Sequence, residues 1–295
     1  MTAVFAAFLA PTMQLIAQET KPLPAVEVVS PNSSLTAEGK YERARNLVLG
    51  QGVPKNMEEA YRLMLEASGE GNAEATGAIG LFYQKGWSGL PQSNQEAAKW
   101  YRKGHEMGGL RAGYNYGIML MNGLGVDADV ATGMPLIEKA VEAGLPEACL
   151  VYGSYYYYGK FGKPQDNVKA FELMKVAADA GNPHAENMMG IMYEHGKGTK
   201  ADPDLAIEWY RKAANQNIAK AQANLGILLG TETTDPVRRA EALKWLQIAA
   251  GNNEVTGQKT LQAIQLTIRP GELDVAKREA LKFQVEMIRS GRPAE

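Results

Sequence analysis

Cysteine is nearly missing from this chain. Cys149 stands alone among 295 residues, so no intramolecular disulfide can form and no cysteine-rich metal site can be built. Histidine is almost as scarce, with only His105, His184 and His195. His184 and His195 flank a single helical segment and stand about 16 Å apart along its axis, too far to share an ion. His105 falls near a helix end, where it is expected to face solvent. A charge imbalance is missing too: 31 basic against 33 acidic residues leave a net charge of −2. That gives no electrostatic reason to expect nucleic acid or an anionic membrane as partner. The chain has no Gly-x-Ser-x-Gly elbow, no His-Glu-x-x-His pair and no Walker-type lysine loop. Its acidic residues fall beside lysines on helix faces, as Glu172 does near Lys175 and Glu208 near Lys212, the pattern of a solvated surface and not of paired catalytic carboxylates. Cys149 adjoins the small residue Ala148 and reads as a buried small hydrophobe. Together these absences argue against an enzyme and predict no cofactor and no metal.

Long apolar runs are confined to the start. Met1 to Ala17 is uncharged, the first charge being Glu19, and Pro11 interrupts it, which leaves it short for a membrane span. It resembles the apolar region of a secretory signal, although no Lys or Arg precedes it and Leu15-Ile16-Ala17 is a poor cleavage site. Residues 1–18 are therefore expected to be a signal peptide. The corresponding location is periplasmic or secreted, with the cytoplasm as the alternative, and the mature chain is expected to have no membrane span. Residues 19–35, with Pro22, Pro24 and Pro31, read as a linker.

Glycine is what the chain has in excess, at 31 residues, and its placement is periodic. Gly80, Gly117, Gly153, Gly190 and Gly226 recur at intervals of 36 or 37 residues. Five residues before each stands an alanine (Ala75, Ala112, Ala148, Ala185, Ala221), and three after each a bulky apolar residue (Tyr83, Leu120, Tyr156, Tyr193, Leu229). A second register, Leu63, Trp100, Leu136, Leu173, Trp209 and Trp245, keeps the same period. Small residues precede each of these by three (Ala60, Ala97, Gly133, Ala170, Ala206, Ala242) and follow by four (Ala67, Gly104, Ala140, Ala177, Ala213, Ala249). Spacings of three, four and five put each set on one helix face. Every unit thus holds two helices: A around the glycine, and B around the Trp or Leu.

Turn chemistry agrees. Gly71, Gly108, Gly144, Gly181, Asn217 and Asn253 stand eight residues after the second anchors, and Gly and Asn are the residues that tolerate a left-handed helix terminus. Gly-x-Gly turns (Gly50/Gly52, Gly123/Gly125, Gly196/Gly198) lead from A to B, followed by the N-cap candidates Asn56, Asp166, Asp202 and Asp235. Because they recur between two helices and never follow a strand, they read as turns and not as phosphate loops. The first unit reads as degraded, with Arg43 where the anchor glycine belongs, and the sixth replaces the Gly-x-Gly turn by Gly230-Thr-Glu-Thr-Thr.

These residues resemble the Sel-one-like repeat family, relatives of the tetratricopeptide repeats. The best matches are Ala185, Gly190, Tyr193, Gly196 and Gly198 in helix A and its turn, and Ala206, Trp209, Ala213 and Ala214 in helix B. The resemblance implies an all-α fold, a right-handed α/α superhelical solenoid of about six two-helix repeats. They run over about 37–72, 73–109, 110–145, 146–182, 183–218 and 219–254, and a helical stretch at 255–295 caps the array with Leu281 and Phe283. It also implies a scaffold that holds partner proteins, common in bacterial signalling and envelope proteins and in eukaryotic quality-control complexes. A cysteine-rich branch linked to β-lactam binding places a cysteine pair in each repeat, and the lone Cys149 excludes it.

In tetratricopeptide-like superhelices the A helices line the concave face. Carried onto this chain, the positions six and three before the anchor glycine and one and four after it become Arg111, Tyr114, Ile118 and Met121; Glu147, Leu150, Ser154 and Tyr157; and His184, Asn187, Ile191 and Glu194. Tyr152, Tyr155, Tyr156, Tyr157 and Tyr158 are too closely spaced on one helix for all to face the core. The expected surface is a peptide-binding groove, with packing of some of these tyrosines against helix B or the inter-repeat seam as the competing reading. The expected function is a non-catalytic scaffold in the bacterial envelope binding a partner peptide or helix. The alternatives are a hydrolase of cell-wall or antibiotic substrates and a structural spacer.

Overall fold

The period of 36 or 37 residues becomes, in the computed structural model, a strict alternation of helices. The structure describes residues 35–230, 235–264 and 271–290. The expected signal segment, nearly all of the expected linker and the turn at 231–234 lie outside those residues. Among the described residues the regular elements are fourteen α-helices and one 3-10 turn, Trp87–Gly89. Helices α1 (Ala37–Leu49), α2 (Met57–Gly69), α3 (Ala73–Lys85), α4 (Asn94–Glu106), α5 (Leu110–Asn122), α6 (Val130–Glu142), α7 (Pro146–Tyr158), α8 (Asn167–Asp179), α9 (Pro183–His195) and α10 (Pro203–Asn215) are A and B in turn, each of 13 residues. Then come α11 (Ala219–Gly230), α12 (Pro236–Gly251), α13 (Val255–Ile264) and α14 (Glu272–Arg289). The chain forms two compact units that part within α7, between Tyr152 and Gly153.

Inside a repeat the glycine column exists because helix B crosses helix A at that point. A Cβ built on Gly80 would sit 2.8 Å from the Tyr101 ring, and one on Gly117 would sit 2.9 Å from the Gly133 carbonyl oxygen. On Gly190 it would overlap the Tyr210 ring. Glycine costs helix propensity, but here it lets two backbones close on each other. The flanking alanines are as buried as their spacing requires: Ala75, Ala148, Ala185 and Ala221 are fully covered, as are Ala60, Ala97, Ala170 and Ala206.

Two readings change. The Trp100 and Trp209 anchors are only half-buried, with Lys103 and Lys212 lying 4.9 and 3.7 Å over their rings. The deepest helix-B position for a large side chain is the next one along, occupied by Met64, Tyr101, Ile137, Met174, Tyr210 and Leu246, all at most 3 % exposed. The first repeat, moreover, is not degraded. Counted from its helix start, the anchor of α1 is Ala44, fully buried, with Leu47 three residues on. Arg43 points outward and pairs with Glu59 at 3.2 Å. The one-residue error arises because A-to-B turns vary in length: residues 86–93 and 159–166 form turns one residue longer than 50–56, 123–129 and 196–202.

The caps match expectation. Gly71, Gly108, Gly144 and Gly181 have positive φ, as do Asn217 (68°) and Asn253 (59°). The side chains of Asn56, Asp166, Asp202 and Asp235 accept hydrogen bonds from first-turn amides. Phe283 of α14 meets the Trp245 ring edge-on at 5.2 Å and so covers the core beneath it. Leu281, expected beside it, is instead 61 % exposed, because it lies on the other side of α14.

Candidate interaction surface

The residues expected to form a groove are distributed over both units. In the first, the A helices lie directly against one another: a Cβ on Gly77 of α3 would sit 2.7 Å from the Cβ of Ala112 in α5. This close approach buries the inner column. Tyr114, Ile118, Met121 and Leu150 are only 2–6 % exposed. The Tyr114 hydroxyl donates to the Glu147 carbonyl oxygen at 3.3 Å, joining α5 to α7. These four therefore do not present an open floor: Tyr114 belongs to the seam between successive A helices, and Met121 lies against Gly133 of α6. Arg111 stays partly exposed and approaches Glu147 at 3.5 Å. Arg111 and Glu74 also act on Tyr41, whose hydroxyl is pushed up to about 12, burial being the main cause and the Glu74 charge the next.

In the second unit Ser154 and Asn187 are buried as well, at 7 and 8 % exposure. Asn187 accepts from the Asn224 amide at 3.2 Å. Tyr157, Ile191, Glu194 and His184 are half-buried. Tyr157 stacks edge-on with Tyr158 at 4.9 Å. Glu194 accepts the Tyr210 hydroxyl at 2.6 Å. Tyr210 titrates well above an ordinary tyrosine because it is buried, because it donates to Glu194, and because Glu194 and Tyr157 add negative charge nearby. The structure thus brings Tyr157, Tyr210 and Glu194 into one cluster, with Ile191 packed against the core beside it. Sequence reasoning missed Tyr210; the signal available was that Tyr101 and Tyr210 occupy the same repeat position, each opposite an anchor glycine. Tyr101 likewise donates to Gln84, at 2.9 Å.

Of the tyrosine run, Tyr152 and Tyr155 are buried, Tyr156 and Tyr157 half-buried and Tyr158 half-exposed. Tyr152 donates to Glu138 at 2.6 Å. His105 is half-buried: its ring lies over the α5 backbone, where a Cβ on Gly113 would come within 2.9 Å of its Nδ1. Cys149 is buried, and its thiol is pushed up to about 11 by burial first and the Glu147 charge second, which leaves it a poor nucleophile. Among the described residues, no three His, Cys, Asp or Glu side chains converge as a metal site, and no helix is long and apolar enough to cross a membrane.

One position of helix A, four residues before the anchor, is buried in the last five repeats and polar in three of them, while Lys40 of the first repeat is half-buried. Thr76 is hydrogen-bonded to Ser68 at 2.8 Å. Gly113 is covered by His105, and Cys149 occupies the third place. Glu186 accepts from Gln216 at 2.8 Å. Gln222 is linked to Asn217 at 3.0 Å and to Asn252 at 2.9 Å. Burial pushes the Glu186 carboxyl up to about 7 against the opposing effects of Gln216 and Lys212.

Stacked helix pairs in the described residues define a helical-repeat protein. The Sel1 repeat pattern matches residues 37–72, 73–108, 111–145, 146–182, 183–218 and 219–253. The chain belongs to the Sel1 repeat family, whose members are generally protein-interaction scaffolds. It is 28 % identical over 210 residues to chitin synthase regulatory factor 3 of Schizosaccharomyces pombe, spanning 68 % of this chain and 22 % of that protein. Among solved structures it is similar to c5321, a protective antigen of uropathogenic Escherichia coli, with TM-score 0.69 and 23 % identity. That match covers 86 % of this chain and 56 % of the other. It is also similar to a Sel1 repeat protein from Oxalobacter formigenes, with TM-score 0.62 and 24 % identity over 78 % of this chain and 66 % of that one. In each case the chain spans less than two thirds of the relative's length.

Proposed function

We propose that the chain is a non-catalytic scaffold that holds a peptide or helix of a partner protein on its A-helix surfaces. The observation that carries this reading lies in the second unit: Tyr157, Ile191 and Glu194 keep accessible surface while Ser154 and Asn187 on the same two helices are buried, and Glu194 accepts the Tyr210 hydroxyl. An aromatic ring, an aliphatic chain and a carboxylate held by Tyr210 provide an apolar contact with an acceptor beside it, the composition of a binding hot spot with its rim. Arg111 of the first unit, partly exposed, is the corresponding contact there. Ser154 and Asn187 are buried in the second unit, and Tyr114, Ile118, Met121 and Leu150 in the first. The apolar segment Met1–Ala17 supports an envelope location reached by export, which amino-terminal sequencing of the mature protein tests.

Replacing Tyr157 and Ile191 together by Ala is expected to abolish capture of the partner by affinity purification and quantitative mass spectrometry, with circular dichroism unchanged. Tyr114→Ala, which removes a seam contact, should instead lower stability. Undiminished capture by the folded double variant would overturn the assignment.

A further inference from the structure

Helix α14 carries two apolar stripes, and α12 uses only one of them. Ala276, Ala280 and Met287 are buried, and Phe283 packs on Trp245. On another side Leu281 and Ile288 are 61 and 77 % exposed and Val285 is 36 % exposed. Residues spaced i, i+4 and i+7 lie on one helix face, here within an arc of about 60°. Exposed aliphatics scattered singly mean little, but a two-turn stripe of them is the pattern with which a helix engages another helix.

The charges of α14 are sorted around this stripe. Glu272, Glu279 and Glu286 follow one another at intervals of seven on a different line. Glu272 meets Arg239 of α12 at 3.5 Å, and Glu279 meets Lys282 at 2.7 Å. Lys277, Arg278 and Arg289, all exposed, project within about 80° of the stripe's centre, with Asp274 the one acid on that side. We propose that this face docks an amphipathic helix of a partner protein whose apolar stripe is bordered by acidic residues. It is separate from the A-helix cluster around Tyr157 and does not depend on it.

Charge selects among occupants. A second copy would bring Lys277, Arg278 and Arg289 against their own equivalents, a repulsive arrangement. An anionic membrane would satisfy the cations, but interfacial helices sink their apolar face among the lipids and anchor it with aromatic rings. The exposed stripe has no aromatic residue, and α14 is held to the body of the unit by its other face. An acidic helix crossing the stripe satisfies both the aliphatics and the cations.

The test uses the full chain and two labelled synthetic helices, both with Leu at i, i+4 and i+7, one flanked by Glu and one by Lys. Fluorescence anisotropy should show the Glu-flanked helix binding about tenfold tighter or more. Leu281→Glu with Ile288→Glu should lose binding of both. Lys277→Glu with Arg278→Glu should reverse the preference, an outcome that misfolding cannot produce. Equal binding of the two helices, or no reversal in the charge-swapped variant, overturns the proposal. So does self-association in sedimentation that Leu281→Glu abolishes, and so does co-sedimentation with phosphatidylglycerol vesicles that the same variant abolishes.

Discussion

Glu186 is the residue at which the stacked interior is least comfortable. Its carboxyl, raised to about 7 mainly by burial, sits where the next repeat places the neutral Gln222. An acid that binds its proton more tightly when folded than when unfolded makes the native state lose stability as pH rises. The loss begins near the unfolded value of about 4.3 and is complete somewhat above 7. Glu186→Gln keeps the shape and removes the charge. The variant is expected to be more stable than the parent by about 1–3 kcal/mol at pH 8 and nearly equal to it at pH 4.5. Urea denaturation across that range reads the effect directly, and parallel stability curves for the two proteins would show that the Glu186 carboxyl does not titrate between them.

At the scale of the element, the Gly-x-Gly turns do more than reverse the chain. Gly52 and Gly198 hold equivalent places with φ of 68° and 75°. A side chain on Gly52 would meet nothing, whereas one on Gly198 would overlap the Asn167 carbonyl at the start of α8. Gly52→Ala should therefore cost only the left-handed strain, about 1 kcal/mol. Gly198→Ala should cost about 2–4 kcal/mol, because overpacking is added; thermal unfolding of the two variants ranks them. This difference was not legible in the sequence, where the two turns look alike, since it depends on which neighbour the turn rests against. What was legible followed from periodic residue types: Ala, Gly and Asn columns report backbone approach and left-handed caps, both of which only small or special residues satisfy. The Ala44 register was misread because the turn of residues 86–93 is one residue longer than that of residues 50–56, which a column of spacings cannot reveal by itself. The groove was misjudged in depth for a related reason. Residue type at Tyr114 or Leu150 fits either a groove floor or a seam, and the spacing of adjacent A helices decides between them.

At the scale of the whole molecule, the helices pack chiefly on the next one or two along the chain, α3 on α4 and α5, α11 on α12 and α13. Stability in such an array is close to a sum of repeat and neighbour terms, so damage stays local. Ile79 is fully buried in the core shared by α1, α2 and α3, and Ile79→Ala should cost about 2–5 kcal/mol there. Hydrogen exchange is expected to speed up in α1 to α5 while the amides of α11 to α14 keep their protection. A uniform loss along the chain would instead mark a single cooperative block. An array of near-copies has its own hazard: a repeat stacked one place out of order, or against the same repeat of another chain, would look almost right. The buried position four residues before the anchors of the last five repeats works against that ambiguity. A hydroxyl pair at Ser68 and Thr76, an imidazole over Gly113, an amide on a carboxyl at Glu186 and two amides around Gln222 are not interchangeable. Exchanging the surroundings of Thr76, Glu186 and Gln222 strands a polar group in the interior. The chain thus carries a distinct polar label at several of its joints, which favours one order of stacking among similar pieces.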